Sequence, residues 1–152
     1  IDAEFASDPL ARIRQKGERI FHRIVHDART RNLLTILLLR CEMVDEVAAA
    51  REHILGCRDE CLAKMKGEFA AARARGQLHA AIDPEGAAIG LHALVDGLAY
   101  HWLLAPKRFD LERTGVQVLE SYLLGLAASG SPAARVVAKR TRPAAARVRA
   151  AR

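Results

Sequence analysis

Apolar positions along this chain recur at steps of three and four and almost never alternate, so the pattern predicts helices and no strands. Asp8-Pro9 offers an N-cap followed by proline at the first helical position. Leu10, Ile13, Ile20, Phe21, Ile24 and Val25 follow at mostly helical spacing, which predicts a helix over roughly 8–26. Asp27 caps the next segment. Its body, Leu33-Leu34-Thr35-Ile36-Leu37-Leu38-Leu39, is apolar on every face, the signature of a helix buried among others. A long amphipathic helix is expected over about 46–75, with Val47, Ile54, Cys57 or Arg58, Cys61 or Leu62, Met65 and Phe69 on its stripe. Arg73, Arg75 and Gly76 close it, with cations at the negative end of the dipole and glycine at the cap. Asp83-Pro84 opens a further helix that Pro106 stops. The last runs from about Asp110 to Ala127, its stripe formed by Leu111, Val118, Leu119, Tyr122, Leu123 and Leu126. Residues 1–7 carry little pattern. The stretch from Ser129 to Arg152 is rich in Ala, Arg and Pro with no apolar period, and reads as disordered.

The segment between Pro84 and Pro106 holds the most informative residue. It is apolar nearly all round, yet Asp96 lies near its middle with no Lys or Arg a helical turn away. Burying a carboxylate costs on the order of several kcal/mol unless it is paired, hydrogen-bonded or neutralised. Either water reaches Asp96 or something polar meets it. A ligand in that role makes the helix the wall of a pocket. His92, Asp96 and Tyr100 are spaced i, i+4, i+8 and share one stripe, which would supply the few polar groups of a mostly apolar site. The alternative is an internal His92–Asp96 pair that only fixes helix packing.

Composition narrows the class. With 152 residues the chain can build one domain with a real core. Apolar residues are 51% but aromatics only 5%, so the core is Leu, Ala, Ile and Val, and the fold class is all-α. The net charge of +6 is misplaced as a clue, because seven basic residues and no acid lie from Ser129 onward. Residues 1–128 balance 17 basic against 18 acidic groups, so a nucleic-acid surface is not a property of the fold. The tail itself could touch DNA phosphates in a salt-dependent way, or be a solvated end. Three cysteines, an odd number, argue against a disulfide framework and for a reducing, cytoplasmic compartment. No signal peptide is evident and no apolar run looks long enough to span a bilayer, so no membrane partner is expected. The chain opens with Ile1 rather than Met, so upstream sequence matters.

Other chemistry is sparse. No Ser, His and acid fall into a motif that activates a nucleophile, and no glycine-rich phosphate loop is present, so neither an enzyme nor a cofactor is expected. His53, Cys57 and Cys61 sit four apart, but one metal reaches three ligands spread over two helical turns only with strain. Cys57 and Cys61 read instead as small apolar fillers, and no metal is expected. Gly97, Gly115 and Gly125 fit either tolerance or a close helix approach, Gly115 and Gly125 at a subunit contact. Trp102 and Tyr122 are candidate interface anchors, with core packing an equal alternative for Trp102.

Three groups of residues together resemble a known family. These are Asp27-Ala28-Arg29-Thr30-Arg31 with Ile36-Leu37 and Arg40-Cys41-Glu42; Arg75-Gly76-Gln77-Leu78 before Asp83-Pro84; and Val95-Asp96-Gly97-Leu98 with Trp102-Leu103-Leu104 and Asp110-Leu111. Their order and spacing resemble the C-terminal ligand-sensing domain of TetR-type repressors of the AcrR/TtgR multidrug branch, over about residues 8–128. The resemblance implies five to six helices enclosing a pocket, with the last two pairing with a second subunit as a four-helix bundle. It implies a homodimer, a hydrophobic or aromatic small-molecule effector, and operator DNA read by an upstream helix-turn-helix domain that this chain does not hold. Relief of repression of an efflux-pump gene is the implied outcome. By the same resemblance Asp96 and Val95 match ligand-contacting positions, and Cys61 and Met65 match pocket positions on the long helix. Leu34 and Leu38 stand where relatives carry polar side chains, His92 where they carry an aromatic and Tyr100 where they carry a basic residue. The implied interface is Trp102, Leu111, Val118, Leu119, Tyr122 and Leu126. The competing function is a helical dimerisation module with no small ligand.

Overall fold

The computed structural model describes residues 8–40 and 48–128, with side chains of the second segment described from Glu52 onward. The expected N-terminal stretch, the basic tail, Val47, Cys41 and Glu42 lie outside the described residues. The described residues form five α-helices: α1 Pro9–His26, α2 Ala28–Thr35, α3 Ala48–Ala74, α4 Pro84–Leu104 and α5 Leu111–Leu126. A π-helical turn, Ile36–Arg40, extends α2. No strand occurs among the described residues; Leu78 and Ala127 form one isolated antiparallel bridge.

The helix starts follow from aspartates. Asp8, Asp27, Asp83 and Asp110 each accept a backbone N–H of the first turn, at Ala11, Arg29 and Thr30, Gly86 and Arg113. These bonds satisfy donors that no helix can pair internally. The proline after Asp8 and Asp83 gives up no hydrogen bond there. Gly76, at φ +67°, ends α3 in the left-handed region that glycine adopts without strain.

The core is shared by α1 (Leu10, Ile13, Phe21, Ile24), α3 (Phe69, Ala72), α4 (Ala87, Ala88, Leu91, Ala99, Trp102) and α5 (Leu111, Leu119, Leu123). The tightest contact is reciprocal. Phe21 lies over Gly115, where a Cβ would come within 2.6 Å of the ring, and Leu119 lies over Gly17, where a Cβ would come within 2.6 Å of a methyl. Each glycine removes the side chain that would hold α1 and α5 apart. Across the other side, Glu68 of α3 accepts from Arg12 at 2.6 Å and Lys16 at 3.0 Å. Hydrogen bonding to Arg12 is the main cause that lowers the Glu68 carboxyl from its ordinary value. The α3–α4 connection is tied to the end of α5: His79 N–H donates to Leu126 O, and Ala128 N–H to Gln77 O.

Several expectations need correction. The apolar segment 33–39 is not buried: none of α2 or its π turn is fully enclosed, and Leu33 and Ile36 are exposed. Its all-round apolarity does not mark burial within this chain. Cys57 and Cys61 are exposed rather than fillers, because α3 commits to the core only near its end, at Phe69 and Ala72. By length and mean hydropathy (1.2) α4 could cross a bilayer, contrary to the first estimate. In this structure it packs against each of the other four helices of the bundle.

The glycine clasp predicts a contrast. Gly115→Ala should destabilise by about 1–3 kcal/mol through overpacking against Phe21. Gly67→Ala, on an α3 position with open space around it, should stabilise by up to about 1 kcal/mol. Urea unfolding of both variants checks the two signs.

Candidate functional site

α4 carries the candidate site. Its Ala87, Ala88, Leu91, Ala99 and Trp102 face the bundle, which leaves Ile89, Ala93, Tyr100 and Leu104 toward solvent, with Asp96 and Gly97 half-exposed beside them. Asp96 is therefore not enclosed. Its side chain is 45% exposed, and its Oδ2 lies 2.9 Å from Nδ1 of His92, one turn earlier and 24% exposed. The expected buried carboxylate is corrected on this point: water reaches it, and an i, i+4 imidazole partners it. The hydrogen bond to Asp96 raises the His92 pKa, although burial and the positive charge of Arg58 on α3 work against it. The pair thus joins the ring to one carboxylate oxygen of Asp96, and among the described residues no partner is seen on the other.

The other proposed pocket residues divide. Leu34, Leu38, Met65 and Val95 are half-buried and pack against the core without being sealed in it. Tyr100 is exposed, its ring edge-on to His101 at 5.7 Å. Cys61 is exposed, on a face of α3 that turns to solvent. Surface depressions lined by described residues lie away from Asp96. One, of about 250 Å³, lies between α3 and α4 and is lined by Asp59, Leu62, Ala63, Lys66, Glu85, Ala88 and Ile89. Lys66 and Glu85 bridge its rim at 2.8 Å.

The expected interface residues also divide. Leu111, Leu119 and Trp102 are buried in this chain's own core, which leaves them little surface to offer a second subunit. Gly115 is likewise filled from within, by Phe21. Tyr122 is half-buried, and its hydroxyl donates to Ala87 O at 2.8 Å across the α4–α5 contact, above Gly90. Val118 and Leu126 are half-buried as well. What α4 and α5 leave outward is different: His101 and Leu104 on α4, and Gln117, Ser121, Leu124 and Gly125 on α5. Gly97 and Gly125 have no atom within 4 Å of where a Cβ would stand.

Two features escaped the sequence. Glu120 is the buried acid, 7% exposed on α5; its position on the helix stripe beside Leu119 was the available signal. His22, His26 and Glu112 come together between α1 and α5; the i, i+4 histidine pair was legible, but the acid from a distant helix was not. Cys57 lies 3.8 Å from His53, and Cys61 does not join them in any ligand cluster among the described residues.

With this geometry in hand, the class of the domain is clear from comparison. Residues 8–127 match the family described as the C-terminal region of MAATS-type transcriptional repressors. The chain belongs to this family, within the AcrR/TtgR branch of the TetR-type regulators. It is 36% identical over 110 residues to the HTH-type transcriptional regulator TtgR of Pseudomonas putida, a match covering 72% of this chain and 52% of that protein. The chain thus spans about half the length of this relative. Among solved structures, NalD, the secondary repressor of the MexAB-OprM multidrug efflux pump in Pseudomonas aeruginosa, superposes with a TM-score of 0.75 at 30% identity, over 84% of this chain and 65% of that one. SmeT, the repressor of the Stenotrophomonas maltophilia multidrug efflux pump SmeDEF, gives 0.68 at 27% identity, over 82% and 56%. These relatives are transcriptional repressors, not enzymes.

The His92–Asp96 pair has a pH signature. A histidine whose folded pKa is raised contributes stability that is fully present below its unfolded value, about 6.5, and lost as pH rises through the higher folded value. Unfolding free energy of the wild type minus that of Asp96→Asn should therefore shrink from pH 6 to pH 8, by the linkage above. A constant difference across that window in urea titrations would show that the pair carries no proton-linked stability.

Proposed function

We propose that this chain is the effector-sensing and dimerisation domain of a TetR-type transcriptional repressor. Its ligand is a hydrophobic, aromatic small molecule, and its output is control of operator DNA through a helix-turn-helix domain upstream. The regulated gene is an efflux pump's, by likeness to NalD and SmeT, whose descriptions name such pumps. A regulator of this kind acts in the cytoplasm.

The observation that carries the sensor reading is the half-open polar pair on α4. His92 and Asp96 are joined at 2.9 Å on a helix that is otherwise almost entirely apolar. Val95 on the same helix, Leu34 and Leu38 on α2 and its π turn, and Met65 on α3 are apolar side chains left half-buried. Apolar walls with a few fixed polar groups are what a small-molecule site requires. Asp96 accepts from a ligand hydroxyl or ammonium, and His92 orients the carboxylate. The half-buried leucines and Met65 give up water on contact with an aromatic ring.

Operator binding requires two DNA-reading domains about 34–36 Å apart, or at a related spacing, to meet successive major grooves. A ligand beside Asp96 favours one arrangement of α4 relative to its neighbours over another. It shifts the balance only by its difference in affinity for the two states.

A second subunit is supported by the outward face of α4 and α5. Leu104 and Leu124 are exposed apolar side chains there, and Gly97 and Gly125 leave room for a partner helix to approach closely. The face would serve equally a dimerisation module without a ligand, so two tests separate the readings. In a melting-shift screen, flavonoids and aromatic antibiotics should raise the Tm of the wild type, and Asp96→Asn should lose most of that rise. A wild type indifferent to every such compound leaves only the module. Gly125→Arg places its Cβ in open space, so it should keep the helical fold yet shift sedimentation from dimer to monomer. A dimer that survives it would place the subunit contact elsewhere.

A further inference from the structure

The cluster between the end of α1 and the start of α5 lies apart from the α4 pair and owes nothing to the sensor reading. His22 and His26 are one turn apart on α1, their ring centroids 4.4 Å from each other. Glu112, in the first turn of α5, faces both. Its Oε1 is 2.7 Å from His22 Nδ1, and its Oε2 is 2.9 Å from His26 Nε2. One ligand atom from each of the three falls within 4.8 Å of the others. The side chains are 63%, 54% and 39% exposed, so an ion arriving from solvent meets no barrier. A groove of about 470 Å³, lined in part by Gln15, Glu18 and Arg19, opens directly onto His22 and Glu112.

We propose that His22, His26 and Glu112 form a binding site for a divalent transition-metal ion of the zinc class. Two imidazoles and one carboxylate are a donor set that zinc accepts, with metal–ligand bonds of about 2.0–2.2 Å. Tetrahedral geometry then separates the ligand atoms by roughly 3.4 Å, from those bond lengths. The present nitrogen–oxygen separations of 2.7 and 2.9 Å are shorter than this by roughly 0.5–0.7 Å. Exposed side chains open by that much through small torsions, without moving the helices. The backbone places the donors already: the i, i+4 spacing puts both rings on one face of α1, and the α1–α5 packing fixes Glu112 opposite them. The groove leaves the remaining coordination position to water. An ion held here would bridge α1 to α5 at the edge of the Phe21–Gly115 contact. Imidazole donors with a carboxylate favour zinc, nickel and copper over magnesium or calcium, which prefer all-oxygen sets.

The full untagged chain, titrated with Zn²⁺ by calorimetry in the absence of chelating buffer, should bind one ion per chain. His22→Gln combined with His26→Gln should weaken binding by more than tenfold. Glu112→Gln alone should weaken it by about tenfold or more, the scale on which even supporting contacts to a metal act. A separate His53→Ala, Cys57→Ser variant should bind as the wild type does. Co²⁺ as a spectroscopic probe should give visible ligand-field bands without thiolate-to-metal charge transfer, and far-ultraviolet circular dichroism checks that each variant is folded. Binding that persists in the folded double-histidine variant, or that vanishes with His53 and Cys57, overturns the assignment. So does the absence of any saturable Zn²⁺ binding to the wild type.

Discussion

The bundle depends on two glycines that let α1 and α5 touch. Phe21 occupies the space a side chain at 115 would take, and Leu119 occupies the space a side chain at 17 would take. Both occupants are fully buried. Because interiors pack at crystal-like density, this interlock sets the register of the two helices rather than merely their proximity. With α5 fixed on α1, Tyr122 reaches across to the Ala87 carbonyl and places α4. The backbone bonds from His79 and Ala128 then close the α3–α4 connection against the end of α5. α4 is thereby held by its inner face, while Ile89, Ala93, Tyr100 and Leu104 stay open to solvent.

That division of α4 explains how one helix can serve two purposes. Its inner positions, Ala87, Ala88, Leu91, Ala99 and Trp102, are mostly small and are buried against neighbours. Its outer positions combine apolar surface with a single hydrogen-bonded polar pair. A lone carboxylate facing an apolar ligand would lose hydration at high cost. Joined to His92, Asp96 keeps one hydrogen bond whatever replaces water on its other side. The pair therefore lowers the cost of exchanging water for a ligand, which a bare acid would not do.

Much of the fold was legible because its punctuation is chemical. Asp8-Pro9, Asp27, Asp83-Pro84 and Asp110 announce helix starts through their own side chains, and Gly76 marks an end by a conformation only glycine adopts cheaply. Family membership was legible too, since Asp83-Pro84 and Val95-Asp96-Gly97 stand in fixed order. Periodicity was less informative about what covers each face. It put Leu111, Leu119 and Trp102 on apolar stripes, and the structure shows that this chain's own helices cover them. The same ambiguity made Asp96 look enclosed: a helix apolar on all sides resembles a buried one whether or not a neighbour is present. Pairwise proximity between distant helices, as at His22, His26 and Glu112, leaves no local trace at all.

The central claim is that the His92–Asp96 pair of α4, together with the half-buried Leu34, Leu38, Met65 and Val95, receives a small aromatic molecule. Titration of the ¹⁵N-labelled chain with a soluble flavonoid, followed by amide and histidine-ring chemical shifts, tests it at residue level. Saturable shifts concentrated at Leu34, Leu38, Met65, Val95, Asp96 and the His92 ring are the predicted result. Shifts that never saturate, or that gather on the outward face of α5 and leave His92 and Asp96 unmoved, would contradict it.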